Sequence, residues 1–363
     1  MANIIPSHIQ SLSPYVPGRL IEDVEAELGL SGIIKLASNE NCLGPSPLAL
    51  KAVAEALPNI HRYSDADARG LKKALADKFG FAPDTIVAGN GSSEFILVLC
   101  HALLGPGLNA VMSRPSFTLY AKNAQAAGAE VRQAPLTAAY GHDLPALLKL
   151  IDDKTRLVFI DNPLNPTGAW LEAEELTAFH QALPQGAILV IDEAYVEFAR
   201  RQRPDWREAL KTPGRLVVMR TFSKAYGLAG LRAAYALMDP IVGAAVNKIR
   251  QPFNMNSLGQ IGAAAALNDE NFLNKTLETS WNSLDYFQKE LSALGLRPLP
   301  TEANFLMVDL NGRSAEDIFQ AVLRKGIITR ALTSFGLNSH LRISAGLESE
   351  SQALIKALTE VLS

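Results

Sequence analysis

One lysine in this sequence stands where a lysine can do chemistry. Lys224 lies in Thr221-Phe222-Ser223-Lys224-Ala225-Tyr226-Gly227-Leu228-Ala229-Gly230-Leu231-Arg232, among hydroxyls and small residues and between two apolar runs. Most lysines are solvated, because an ammonium is rarely buried without a partner. Here a neighbouring Arg232 disfavours a second cation, and a free amine is what a Schiff-base nucleophile needs. Three polar segments upstream also follow apolar runs. Asp192 ends Ile188–Ile191 and opens Asp192-Glu193-Ala194-Tyr195. A carboxylate so placed either caps a strand end or pairs with a cationic ring nitrogen, keeping that ring electron-withdrawing. Asp161-Asn162-Pro163-Leu164-Asn165-Pro166-Thr167-Gly168 is a rigid turn that can present the Asn165 amide to a ligand. Gly89-Asn90-Gly91-Ser92-Ser93-Glu94 precedes the helical run Phe95–Leu104, with Ser92 expected to cap it. Free N–H groups at such a helix start attract phosphate.

These segments need a scaffold, and the periodicity supplies one. The runs Ile86–Gly89, Ala110–Ser113, Leu157–Ile160, Ile188–Ile191, Leu216–Met219 and Ala233–Leu237 are branched and apolar, separated by amphipathic stretches. That pattern predicts an α/β fold whose largely parallel sheet is buried on both faces. In such sheets ligands gather at the carboxyl ends of the strands, where all four polar segments fall. The first thirty residues, with Pro6, Pro14, Pro17 and Gly18, read as an irregular arm. Beyond Pro252, Leu277, Trp281, Leu284, Phe287, Leu291 and Leu294 recur at spacings of three and four, as one stripe of a long helix. Asn304–Leu310 and Leu341–Ser344 read as strands and Ser351–Leu362 as a last helix. The expected division is an arm over 1–30, a small α+β domain from 31–50 and 265–363, and a large domain over 51–264.

Composition narrows the function further. With 363 residues, 20% charged, 48% hydrophobic and a net charge of −3, the chain reads as a soluble globular enzyme without a nucleic-acid footprint. Two cysteines, Cys42 and Cys100, exclude a disulfide framework and suit a reducing cytoplasm. No apolar stretch is long enough to span a bilayer, and no secretory signal is visible. The six histidines lack ligand spacing, so no metal site is expected. A nicotinamide dehydrogenase would need a third glycine after Gly89-x-Gly91, and an acid ending the next strand, which instead ends at Ser113-Arg114.

Ser223-Lys224 with Gly230-Leu231-Arg232 resembles the pyridoxal-phosphate lysine signature of fold-type I aminotransferases. The Asn-Pro-x-Asn-Pro-Thr-Gly turn and Asp-Glu-Ala-Tyr stand upstream in that family's order, with Asp192 32 residues before Lys224. Within that group the chain is most similar, over its whole length, to the histidinol-phosphate aminotransferases. Tyr15-Val16-Pro17-Gly18, Lys35–Asn41 with Leu43-Gly44-Pro45, Arg62-Tyr63, Gly326–Arg330 and Leu341–Ser344 carry that similarity.

The resemblance implies a large domain with a mainly parallel seven-stranded sheet and a smaller α+β domain. Lys224 would bind pyridoxal 5′-phosphate as an imine, then move the proton from the substrate's α-carbon to the cofactor's C4′. Asp192 would pair with the ring nitrogen, Asn165 and Tyr195 with the phenolic oxygen, and Phe117 would stack on the ring. Ser92, Ser93, Ser223 and Arg232 would grip the phosphate, and Tyr63 would arrive from the other subunit of a homodimer. Arg342 would bind the carboxylate of glutamate or the phosphate of histidinol phosphate in turn, with Arg330, Tyr15 and Asn39 completing the pocket. The implied reaction is transamination of L-histidinol phosphate with 2-oxoglutarate. An aromatic-amino-acid aminotransferase and a threonine-phosphate decarboxylase share the fold and stay open as alternatives. Cys42, Ser93 and Leu164 depart from the family's usual proline, aspartate and asparagine.

Overall fold

The computed structural model describes residues 4–14 and 17–363. Strands β1 (Ile34–Lys35), β2 (Ile86–Gly89), β3 (Asn109–Arg114), β4 (Glu130–Pro135), β5 (Thr155–Asp161), β6 (Ile188–Asp192), β7 (Leu216–Thr221) and β8 (Ala234–Met238) precede the helical middle. Strands β9 (Arg297–Pro298), β10 (Phe305–Asp309), β11 (Ile327–Ile328), β12 (Arg330–Ala331) and β13 (His340–Ser344) follow it.

The expected seven-stranded α/β sheet is present, in the order β2-β8-β7-β6-β5-β3-β4. The pairs among β4, β3, β5, β6 and β7 are parallel. Its strands are buried on both faces because period-2 alternation serves two cores at once. Along β5, Val158 and Ile160 join one core, while Leu157 and Phe159 join the other. Each such side chain contributes about 1.5–3 kcal/mol on leaving water.

Three features add to the mainly parallel sheet that the sequence predicts. The strand expected over Ala233–Leu237 is present, but β8 runs antiparallel to both β7 and β2. Parallel return requires a crossover, usually a helix. The link from Thr221 to Ala234 instead carries the Lys224 loop and one short turn, Ala229–Leu231, so the chain simply folds back. Strand β4 escaped notice because it is an edge strand in which only Ala134 is buried, so Glu130, Arg132 and Gln133 interrupt any apolar run. The arm is not wholly irregular: Ile21–Leu28 is a helix anchored by the buried Val24 and closed by Gly29 at φ +66°.

The long helix is Glu270–Ala293, with Leu277, Leu284, Phe287 and Leu291 buried along the expected stripe. It joins two cores: Leu277 packs with the large sheet's residues, whereas Leu284, Phe287 and Leu291 pack under the second sheet. That second sheet is antiparallel, ordered β12-β13-β10-β9. β1 pairs in parallel with β11, which attaches the segment before Asn39 to this C-terminal layer.

Candidate active site

Three parallel strands in register end together, with Asp161 opposite Asp192 and Asp192 opposite Met219. The loops that follow them meet the segment after β1 and the strand β13. Lys224, just beyond β7, points its amine at the Ser38 carbonyl, 3.1 Å away, and at the face of Tyr195, 5.6 Å from the ring centroid. Burial lowers its pKa to about 8, helped by Arg342 and then Arg232 and opposed by Glu40 and Asp192. Arg232 is thus a lesser influence than the sequence suggested, behind burial and behind Arg342.

Asp192 is buried, and its carboxylate accepts from the Tyr120 hydroxyl at 2.9 Å and the Ala194 N–H at 3.0 Å. Burial raises its pKa to about 6, opposed by the Tyr120 hydrogen bond. Tyr120 is itself stacked on Phe159 at 4.8 Å and meets Phe117 edge-on at 5.5 Å. Phe117, partly buried, stands in the loop after β3 beside this group. A carboxylate with two donors, a desolvated surrounding and an amine nearby is built to hold a cation in front of it.

At the start of the helix Ser92–Leu103, Gly91 is the residue before the first turn, at φ +86° and without a capping side chain. Ser92 is therefore the first helical residue and not the cap that was expected. The Glu94 N–H donates to the Gly91 carbonyl at 3.1 Å, which leaves the N–H groups of Ser92 and Ser93 to meet an external acceptor. Arg232 leans over this end: a Cβ on Gly91 would collide with its guanidinium. Its Nη1 donates to Ser223 Oγ at 3.4 Å and to the Ala229 carbonyl at 3.1 Å. Thr221 Oγ1 donates to Ser223 Oγ at 3.0 Å, which fixes that hydroxyl. Arg232 keeps φ +53° to reach this position, a conformation that costs a non-glycine residue about 1–2 kcal/mol. Backbone N–H groups, a guanidinium and a serine hydroxyl form a donor set that fits a phosphate monoester dianion. With Asp192 and Lys224 alongside, the residues present fit pyridoxal phosphate.

The opposite wall comes from the second sheet. Arg342 on β13 is buried, donates from Nη1 to Asn165 Oδ1 at 2.6 Å and from Nη2 to the Ala37 carbonyl at 2.7 Å, and lies over Phe305 at 5.2 Å. Arg330 on β12 is its directly opposed cross-strand neighbour and is partly buried. Two cations so paired repel unless an anion lies between them. Tyr195, whose hydroxyl accepts from Asn39 Nδ2 at 3.1 Å, stands between this wall and Lys224. Burial pushes its phenol up to about 12, opposed by Arg342 and the Asn39 hydrogen bond.

Asn39 is 1% exposed, held at φ +55°, with its amide oxygen accepting from Ser344 Oγ at 2.8 Å. Both ends of the amide are engaged, so Asn39 orients Tyr195 at the edge of the site. Tyr63 is 85% exposed and stacked on Phe253 at 4.7 Å, on the outer surface of this chain. Tyr15 lies outside the described residues. Sequence reasoning missed Tyr120, Ser344 and Asp161. Tyr120 shows no polar pattern at all, whereas Ser344 and Asp161 sit inside segments already singled out, where only burial distinguishes them. Glu193, the second acid of Asp192-Glu193-Ala194-Tyr195, serves structure: it forms a buried ion pair with Arg220 at 2.6 Å and accepts from Trp206 Nε1 at 2.6 Å.

Residues 31–358 match the family described as aminotransferase class I and II, and the chain belongs to that family. More narrowly, it is 45% identical, over 98% of its length and 96% of the other's, to histidinol-phosphate aminotransferase 2 of Pseudomonas fluorescens strain Pf-5. It is 42% identical to the histidinol-phosphate aminotransferase of an Anaeromyxobacter species, covering 99% of each chain. Among solved structures, the histidinol-phosphate aminotransferase of Sinorhizobium meliloti in complex with pyridoxal-5′-phosphate superposes with a TM-score of 0.90 at 33% identity, covering 100% and 98% of the two chains. The aspartate aminotransferase of Thermus thermophilus with maleate shares the fold, with a TM-score of 0.86 at 21% identity and 99% of each chain covered.

Proposed function

We propose that this chain is a pyridoxal-phosphate enzyme that transaminates L-histidinol phosphate with 2-oxoglutarate, giving imidazole acetol phosphate and glutamate. The observation that carries the reading is the convergence of Lys224, Asp192 and Asn165 on one edge, faced by Arg342 with Arg330 beside it. The names and cofactor of the relatives support it. Pyridoxal phosphate, when bound, supplies an electron sink for the charge that develops at the substrate's α-carbon. Asp192 holds a positive charge at the ring nitrogen. Ser92, Ser93, Ser223 and Arg232 would anchor its phosphate, and Phe117 would lie against its ring. Asn165 and Tyr195, the latter fixed by Asn39, set the phenolic side. Lys224 Nζ, with its pKa lowered to about 8, would take the proton from the α-carbon. Arg342 and Arg330 receive the carboxylate or phosphate of the two substrates in turn, since a planar guanidinium fork suits either anion.

The visible spectrum of the purified protein tests this. L-histidinol phosphate should bleach the yellow band at a lower concentration than L-phenylalanine or L-threonine phosphate. Preferential bleaching by phenylalanine would move the substrate to aromatic amino acids, and a colourless protein after added cofactor would remove the reading. In the Arg342→Ala variant, loss of a charged hydrogen-bonding fork should raise KM for both glutamate and histidinol phosphate by about 10–100-fold. An unchanged KM for both would take Arg342 out of the site.

In the same reading the enzyme is a cytoplasmic homodimer, in which Tyr63 enters the partner's site. The helices Pro47–Ala56 and Ser257–Ala266 pack together, and their surroundings expose Leu48, Leu50, Ile60, Tyr63, Phe253 and Ile261. Exposed large apolar side chains on and near one helix pair suit an interaction face. Among the described residues no helix is long and apolar enough to cross a membrane. Residues 51–264 would hold the cofactor, and residues 31–50 with 265–363 would supply the substrate wall. Sedimentation equilibrium should give twice the 39.1 kDa chain mass, and a monomer would sink the shared-site assignment.

A further inference from the structure

Two carboxyl groups stand side by side at the strand ends, and the proposed chemistry uses only one of them. Asp161 closes β5 directly opposite Asp192 on β6, and both are buried. Adjacent strands lie about 4.8 Å apart, so two anions there repel strongly with little water to screen them. Their surroundings differ. Asp192 has the Tyr120 hydroxyl and the Ala194 N–H. Asp161 Oδ2 accepts the Asn165 N–H at 2.8 Å, Oδ1 has no partner in hydrogen-bonding geometry among the described residues, and the Phe117 backbone N–H adds only a lesser pull toward the anion. A lone buried carboxylate oxygen is costly, whereas a carboxylic acid leaves it as an O–H. Burial accordingly pushes Asp161 well above the usual carboxylate range, and Asp192 adds to the push.

The nearby imidazole does not reverse this. His142 Nε2 lies 3.0 Å from the Asp161 carbonyl oxygen and 3.6 Å from its Oδ1, and its Nδ1 is 2.7 Å from Ser113 Oγ. Burial lowers His142 to about 4, so the ring is neutral at pH 7 and props the β5 backbone without forming an ion pair. What Asp161 does hold is the turn. Its Oδ2 fixes the Asn165 backbone, and the Asn165 side chain meets Arg342 Nη1 at 2.6 Å. One buried side chain therefore determines where the amide that contacts Arg342 stands.

We propose that Asp161 is a positioning residue: its carboxyl group clamps the Asn165 turn from beneath and thereby seats Arg342 for the substrate's carboxylate. The role requires an acceptor for the Asn165 N–H and does not require a negative charge, so asparagine can fill it and alanine cannot. The inference rests on the reading of Arg342 as the carboxylate site.

Calorimetric titration of the holoenzyme with glutarate, a five-carbon dicarboxylate without the reacting carbonyl, separates the two. Wild type should bind glutarate and Arg342→Ala should not. If both bind it equally, or neither does, the Arg342 reading fails and takes this inference with it. With that control in place, Asp161→Ala should weaken glutarate by about tenfold with bound cofactor retained, the worth of one buried hydrogen bond. Asp161→Asn should stay within about threefold of wild type, since its amide oxygen still accepts the Asn165 N–H. A merely structural role would lower the Tm of the alanine variant and leave glutarate affinity unchanged, which would overturn the proposal. So would an asparagine variant as weak as the alanine one. Should alanine prevent folding, Asp161→Ser, whose hydroxyl is too short to reach that N–H, takes its place with the same outcomes.

Discussion

Replacing Lys224 by alanine is expected to lower turnover by about four orders of magnitude or more, because one side chain supplies both the covalent anchor and the proton-transferring base. Cofactor should still enter through the contacts at Ser92, Ser93, Ser223, Arg232 and Asp192, so the variant separates binding from attachment. Borohydride reduction followed by intact-mass measurement reads the attachment directly. Wild type should gain the mass of one reduced cofactor and Lys224→Ala should gain none. A variant that still acquires the mass, or turns over at the wild-type rate, would place the reactive amine elsewhere.

The depressed pKa of the same lysine sets a pH dependence with a definite sign. Lys224 titrates near 8, below the ordinary lysine value, because burial and then Arg342 disfavour the ammonium. The nucleophile is the free amine, whose fraction grows as pH rises through that midpoint. Attachment of added pyridoxal phosphate to cofactor-free protein should therefore accelerate between pH 7 and 9 and level off above. Stability follows the same titration. Between the folded and unfolded pKa values the unfolded chain binds more protons, so raising the pH through that window favours the folded state.

What could be read from the residues alone followed from local signals. β5, β6 and β7 announce themselves as branched apolar runs because both their faces are buried, and each leads into a polar segment that the site draws on. The Lys224 loop is legible because its glycines and hydroxyls are improbable between two core strands. Contacts between distant segments left no such mark. Tyr120 supports Asp192 from a helix whose sequence looks like any amphipathic surface helix. Asn39 gives no sign in the sequence that Ser344 and Tyr195 hold both ends of its amide. The direction of β8 depends on a missing crossover, which apolar periodicity does not register. Nor does an Asp-Glu pair say which acid faces the site. Strand alternation sends Asp192 toward Tyr120 and Glu193 into the opposite wall, where Arg220 and Trp206 hold it.

Asp192→Asn should separate function from stability most sharply. Asparagine keeps the shape, and its single amide oxygen can still accept from the Ala194 N–H while the Tyr120 hydroxyl turns to accept from the new amide. The charge is gone, so nothing holds the ring nitrogen positive while charge develops at the substrate. Loss of one preorganised electrostatic partner at a reacting centre costs about 10²–10³-fold in kcat. The wild-type acid limb should disappear with it. Asp192 titrates near 6, and protonation below that value neutralises the anion, so wild-type affinity for the cofactor should fall more steeply than the variant's as pH drops through 6, the variant keeping only the dependence that comes from the cofactor phosphate itself. Folding runs the other way. With its folded-state pKa raised above the unfolded one, Asp192 binds more protons in the folded chain, so the cofactor-free protein loses stability as pH rises from about 4 to 6, on the order of 3 kcal/mol by linkage. Asp192→Asn removes that cost, and the cofactor-free variant should melt higher than wild type at pH 7.5 while working far worse. A variant that melts lower and keeps its kcat would mean that Asp192 serves the fold and not the ring. The buried anion is tolerated because the cation it awaits belongs to the cofactor, and the stability forgone in the empty site is recovered when that charge arrives.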